Sequence, residues 1–145
     1  MTTAPSLAIN LTWLGDLRFD VDSSRGAPSL VAPPFGLTLD SADTVGPSPV
    51  TALGAALAGC MAMDLVHILT RGRHVLRTVG ATLQAERAPG EPRRFVRVAL
   101  HFRIAGNPPR EAVERAISLS RERYCSVWHS LRQDIEFQVT FDLTD

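Results

Sequence analysis

The chain of 145 residues is long enough for one folded domain, and 45% of its residues are hydrophobic. Fifteen basic side chains balance fifteen acidic ones, so no overall field attracts nucleic acid or an anionic membrane. The first residues lack a basic stretch followed by an apolar core, and the apolar run at residues 52–63 is too short and too rich in small residues for a bilayer. We therefore expect one cytoplasmic domain over residues 1–145, with neither nucleic acid nor a membrane as partner.

The N-terminal part of the chain predicts short strands. Residues 7–13 and 17–22 alternate between apolar and polar side chains, as half-buried strands do, and Gly15 and Asp16 predict a turn between them. Proline and glycine then predict a connection at residues 33–36, followed by a short strand at residues 37–39.

A long helix is predicted next. Ser48 followed by Pro49 is typical of a helix start, because the serine oxygen can accept from a free backbone amide and proline suits the first helical position. Helical spacing of apolar residues continues to about Arg71. Small residues crowd one surface of this helix, at Gly54, Ala55, Ala58 and Gly59, so another backbone can approach it closely.

The C-terminal half predicts a mixture of strands and helices. The predicted elements are strands at 75–86, 95–104 and 135–141, a helix at 110–123 and a short helix through Trp128 and Leu131. A turn-rich segment at residues 88–92 separates the first two strands. Strands that come in blocks around two main helices indicate an α+β fold rather than an alternating α/β fold.

The chain contains two cysteines, Cys60 and Cys125, each within a predicted helical segment. In a reducing compartment a cysteine pair indicates catalysis or metal binding more than a structural disulfide, although both thiols could also be small buried hydrophobes. For a metal site, Cys60, Asp64 and His67 fall on one helix face, and His129 follows Cys125 by four residues. These spacings are not the Cys-x-x-Cys pairs typical of structural zinc sites, so we expect no metal.

Two segments carry longer motifs around the cysteines. Residues 48–69 begin with Ser-Pro, continue with AALAGCMAMDLV at residues 55–66 and end in Ile-Leu, and residues 116–127 read AISLSRERYCSV. Both resemble the cysteine motifs of the osmotically inducible protein C-like (OsmC/Ohr) family, in its OsmC-like branch. The strand pattern before, between and after the motifs also fits, so the resemblance covers essentially the whole chain.

The resemblance implies an OsmC-like α+β fold, with antiparallel sheets packed around two main helices in an intertwined homodimer. It also implies a thiol peroxidase without metal or organic cofactor, in which Cys60 attacks an organic hydroperoxide and becomes a sulfenic acid. Cys125 then captures that acid as an intramolecular disulfide, which a dithiol reductant restores. The arginine that the family places beside the first thiol corresponds to Arg18, with Arg25 as the second candidate.

One departure from the family concerns how Cys60 is activated. A free cysteine is mostly protonated at neutral pH, and Cys60 lies about three turns into its helix, so a cation such as arginine has to supply the activation. Many family members carry a glutamate at the start of this helix, which orients the arginine, but Val50 and Thr51 occupy those positions here. The alternative prediction is a catalytically silent protein of the same fold that binds an apolar small molecule at the dimer interface.

Overall fold

The computed structural model describes residues 6–23 and 38–145 of the chain. Its elements are β1 (Ser6–Trp13), β2 (Phe19–Ser23), α1 (Pro49–Arg71), β3 (Leu76–Arg87), β4 (Phe95–Gly106), α2 (Arg110–Leu119), a π-helical turn (Ser120–Tyr124), α3 (Ser126–His129) and β5 (Glu136–Thr144). The strands form a five-stranded sheet in the order β2-β1-β3-β4-β5. The mixed α+β class predicted from the sequence is confirmed.

The sheet is not purely antiparallel, which corrects the prediction. Strand β5 pairs with β4 in parallel, with Leu100 opposite Val139, while the other neighbouring strands pair in antiparallel fashion. The physical reason is the crossover through α2, the π-helical turn and α3, which returns the chain to the starting end of β4 before β5 begins. This crossover is also the segment that carries Cys125.

The core lies between α1 and one face of the sheet. Side chains of one parity on β1 and β4 are buried against α1, as the period of two predicts. The largest fully buried members on these elements are Leu7, Ile9, Leu11, Leu57, Met61, Leu65, Leu100 and Phe102. Burial of one such side chain stabilises a fold by about 1.5–3 kcal/mol, so this packing fixes α1, and with it Cys60, against the sheet.

Other expectations need smaller corrections. Residues 38–39 are not in a strand, whereas Leu37 and the connection at residues 33–36 lie outside the described residues. The helix predicted to Arg123 is α-helical only to Leu119, and α3 ends before Leu131. The chain leaves the α pattern here because the backbone carbonyl of Ser120 accepts from a residue five positions ahead.

Helix α1 is apolar along most of its length. Its 23 residues are enough, by length and composition alone, to cross a membrane, because the apolar stretch is longer than the sequence analysis assumed. The helix packs on the sheet, yet only half of its most apolar stretch is buried within the described fold. Leu53 and Met63 remain exposed on it.

Candidate active site

Cys60 is positioned by helix α1, whose first residues are fixed by side chains close to them in the sequence. The hydroxyl of Ser48 accepts from the backbone amide of Thr51 at 3.2 Å, and Pro49 occupies the first turn. Cys60 lies midway along α1 and is half-buried. Asp64, one turn later on the same helix, is also half-buried, so helical geometry places its carboxylate beside the thiol.

Cys125 is positioned by the π-helical turn and by aromatic packing. Its backbone amide donates to the carbonyl of Ser120 at 2.8 Å, which closes the π turn. Its sulfur is buried and accepts from the backbone amide of Trp128 at 3.3 Å. The Trp128 ring packs on Phe137 with ring centroids 4.5 Å apart, so strand β5 holds the far side of this segment.

The two cysteines meet in one cluster with an acid. The sulfurs of Cys60 and Cys125 and a carboxylate oxygen of Asp64 all lie within 4.8 Å of one another. The hydroxyl of Ser120 donates to Oδ2 of Asp64 at 2.7 Å and holds the carboxylate in place. Both cysteines are free thiols. The structure thus brings together two of the three residues that the sequence analysis named as catalytic, and adds Asp64.

The surroundings make Cys125 a poor thiolate. Burial raises the pKa of Cys125 to about 12, and the nearby Cys60 and Asp64 push the pKa in the same direction. The hydrogen bond from the Trp128 amide acts in the opposite direction but does not offset the burial. At neutral pH Cys125 is therefore mostly a protonated thiol, so it is not the thiol that attacks a substrate first.

Arg18 lies in the turn between β1 and β2. Its guanidinium is 72% exposed and pairs with the carboxylate of Asp16 at 3.6 Å. Within residues 6–23 and 38–145 of one chain, no hydrogen bond joins Arg18 to Cys60. Arg25, the second candidate, lies outside the described residues.

The loop before α1 contains a buried carboxylate that the sequence analysis missed. Asp43 is 2% exposed, and its Oδ1 accepts from the backbone amide of Ser48 at 2.7 Å. Thr51, at one of the positions where the family glutamate is absent, is buried and accepts from the Ser48 hydroxyl at 3.0 Å. The sequence signal for Asp43 was the polar composition of the loop before α1. It was weak, because a loop sequence does not show which acidic side chain becomes buried.

The histidines of the metal alternative do not join the cluster. His67 is exposed on α1, and Nε2 of His129 lies 3.0 Å from the backbone oxygen of Arg121. In the part of the chain that the structure describes, the group of possible ligands consists of Cys60, Asp64 and Cys125. Of the residues in the metal alternative, Cys60, Asp64 and Cys125 therefore lie together, and the two histidines lie outside this group.

Comparisons with known proteins agree with this architecture. A family model described as OsmC-like protein matches residues 40–140. The chain is 33% identical over 132 residues to Protein YhfA of Escherichia coli strain K12, which covers 90% of this chain and 93% of the relative. An OsmC-like protein from Mycoplasma pneumoniae superposes with a TM-score of 0.68 at 15% identity, covering 99% of both chains. An organic hydroperoxide resistance protein OsmC from Legionella pneumophila superposes with a TM-score of 0.56 at 19% identity, covering 98% of each.

Proposed function

The chain belongs to the OsmC-like protein family, and from that premise we propose that it is a thiol-dependent peroxidase that reduces organic hydroperoxides. The observation that carries the proposal is the meeting of Cys60 and Cys125 within 4.8 Å, on the two motifs that resemble the family's cysteine motifs. The similar fold of the Legionella hydroperoxide resistance protein supports the substrate class.

The two thiols differ in the way that the reaction requires. Cys60 is half-buried and can meet a substrate, whereas Cys125 is buried and protonated. The Cys60 thiolate attacks the outer peroxide oxygen, the O–O bond breaks, and the alkoxide takes a proton to leave as an alcohol. Cys125 then attacks the resulting sulfenic acid, water leaves, and a disulfide forms between the two sulfurs. A dithiol reductant returns both residues to thiols by exchange.

Activation of Cys60 needs a cation, because Cys60 lies in the middle of α1, too far from the helix N-terminus for the helix dipole to stabilise a thiolate. We assign this role to Arg18, whose exposed turn and weak surface pairing with Asp16 leave its guanidinium available to a neighbouring chain. Asp43, buried in the loop before α1 and bonded to the Ser48 amide, is the carboxylate we propose in place of the missing family glutamate.

A homodimer supplies that neighbouring chain. Half of the most apolar stretch of α1 is not buried by its own fold, and Leu53 and Met63 are exposed on it. A methyl group added at Gly59 would meet no atom within 4 Å, so this stretch of α1 has room beside it. Covering such an apolar surface with a second copy removes it from water. We propose that this dimer acts in the cytoplasm.

The proposal is tested by treating the reduced protein with one equivalent of cumene hydroperoxide. Wild type is expected to lose both thiols to one intramolecular disulfide. Cys125→Ser is expected to stop at a sulfenic acid on Cys60 that dimedone traps, and Cys60→Ser is expected to consume no peroxide. Mass spectrometry reads all three outcomes, and wild-type protein that keeps both thiols would contradict the peroxidase.

A second candidate function rests on a groove rather than on the thiols. The groove is about 160 Å³ and is lined by Val50, Leu53, Phe95, Leu131 and Ile135, with arginines beside them. A catalytically silent protein would bind a small apolar molecule there. Two results together would favour this function. The thiols would stay intact after peroxide treatment, and an apolar fluorescent probe would bind to wild type but not to Leu53→Asp.

A further inference from the structure

The cysteine cluster also has the composition of a metal site. It offers two sulfurs and one carboxylate oxygen, and all three donor atoms lie within 4.8 Å of one another. Thiolate and carboxylate ligands suit Zn²⁺, with bonds of about 2.3 Å to sulfur and about 2.0–2.2 Å to oxygen. Donor atoms around a tetrahedral ion therefore stand about 3.5–3.8 Å apart, and side-chain movements of about 1 Å bring this cluster to that spacing.

Two of the three donors are held by outer hydrogen bonds, as ligands in built metal sites are. The Ser120 hydroxyl donates to Oδ2 of Asp64 at 2.7 Å and leaves the other carboxylate oxygen for an ion. The Trp128 amide donates to the sulfur of Cys125 at 3.3 Å and stabilises negative charge on it. These donors come from two different segments, the π-helical turn and α3, which both pack against α1.

The site is closed on one side and open on the other. Cys125 is fully buried, whereas Cys60 and Asp64 are half-buried, so an ion can enter past them and keep a water as fourth ligand. Two thiolates and a carboxylate would repel one another without a cation between them. A divalent ion between them offsets two of the three negative charges and leaves the occupied site with a net charge of −1.

We propose that the reduced protein binds one Zn²⁺ ion per chain through Cys60, Asp64 and Cys125. Binding displaces the two thiol protons to solvent and holds both sulfurs, so the ion keeps them from oxidation until it is removed. When the metal-free pair is oxidised by an organic hydroperoxide, the Cys60–Cys125 disulfide forms and the hydroperoxide is reduced to an alcohol and water. The disulfide removes two of the three ligands, so the oxidised form cannot hold the ion. The metal site stands on the cluster geometry and does not require that the protein be a peroxidase.

The test uses Co²⁺ as a spectroscopic probe and Zn²⁺ as its competitor. Reduced, metal-free protein is titrated with Co²⁺ without oxygen, and one equivalent is expected to produce sulfur-to-cobalt charge transfer and tetrahedral d–d absorption. One equivalent of Zn²⁺ is expected to bleach both. Cys60→Ser and Cys125→Ser are each expected to remove most of the charge-transfer intensity, and the disulfide form to bind nothing.

Variants of Asp64, and of Ser120, which donates to it, test where the ion binds. Asp64→Asn is expected to weaken binding by more than tenfold, and Ser120→Ala by about tenfold, because outer hydrogen bonds commonly contribute that much. His67→Ala, on the same helix but outside the cluster, is the matched control and is expected to bind as wild type does. Absent charge transfer, or binding that Asp64→Asn leaves unchanged, would overturn the proposal. No peroxide enters this experiment, so a protein that fails as a peroxidase can still succeed here.

Discussion

Cys60 lies in the middle of a regular 23-residue helix, whereas Cys125 lies between a five-residue π-helical turn and a four-residue helix. The first region is specified locally, by the cap at Ser48 and by continuous helical spacing. The second region is held by contacts with distant parts of the chain, such as the packing of Trp128 on Phe137. Short irregular segments have little stability of their own, so Cys125 depends on the core around it.

This difference matches the division of labour between the thiols. The rigid helix presents Cys60 at a half-buried surface, and the irregular segment buries Cys125 until a partner sulfur is beside it. A π-helical turn adds one residue to a helical turn and changes the direction of the side chains after it. That extra residue lets Ser120 contact Asp64 while Cys125 still faces Cys60.

The largest expected contrast between the two regions is in thiol reactivity. With a pKa of about 12, Cys125 has about one thiolate in ten thousand at pH 8, roughly three orders of magnitude fewer than a free cysteine. In reduced, metal-free protein, iodoacetamide is therefore expected to label Cys60 first and Cys125 only after unfolding. Mass spectrometry follows both sites with time. Equal labelling rates in the folded protein would contradict the contrast.

Removing Trp128, which packs beside Cys125, is expected to lower the stability of the Cys125 region. Trp128→Ala leaves a cavity beside Phe137 and removes the contact with the Arg121 guanidinium, whose carbon is 5.8 Å from the indole. We expect the free energy of unfolding to fall by about 3–5 kcal/mol in urea denaturation. Tyr124→Ala, at a 53% exposed position in the neighbouring turn, is the control and is expected to cost about 0.5 kcal/mol or less. A small effect at Trp128 would mean that the segment is specified locally after all.

The Cys60 region is expected to respond to its cap. Ser48→Ala removes the oxygen that accepts from the Thr51 amide, and the free energy of unfolding is expected to fall by about 1 kcal/mol. Ser118→Ala, at an exposed position of α2, provides the comparison and is expected to raise stability by about 0.5 kcal/mol or less through the higher helix propensity of alanine. Identical denaturation midpoints for both variants would show that tertiary packing, rather than the cap, fixes the start of α1.

The smallest effect is expected at Gly59 of α1, where an added side-chain carbon would face open space within one chain. Within one chain the methyl group of Gly59→Ala meets no atom within 4 Å, so at protein concentrations too low for the proposed dimer the higher helix propensity of alanine should raise stability by about 0.5–1 kcal/mol. The same change at Gly54 would bring the new carbon to 2.5 Å from Cδ1 of the buried Ile9 and should lower stability. Thermal unfolding at one low protein concentration compares them, and an equal loss at both glycines would show that a second copy covers Gly59 even there.

Much of the fold could be read from local patterns. The bounds of α1, the antiparallel strands β3 and β4, and the turn at Gly15 and Asp16 follow from capping, periodicity and glycine chemistry. The pair of cysteine motifs was enough to indicate the family, which the match over residues 40–140 bears out. These features depend on neighbours in sequence, and such neighbours can be judged without a structure.

The site itself depended on the tertiary structure. Helical spacing placed Asp64 beside Cys60, but only the π-helical turn and the crossover to β5 decided that Cys125 and Ser120, rather than His129, would face them. Likewise, Asp43 became a partner of the α1 start only because its loop folds back on Ser48. Sequence patterns report which face of an element is apolar, whereas the meeting of side chains from separate elements is fixed by packing and chain direction.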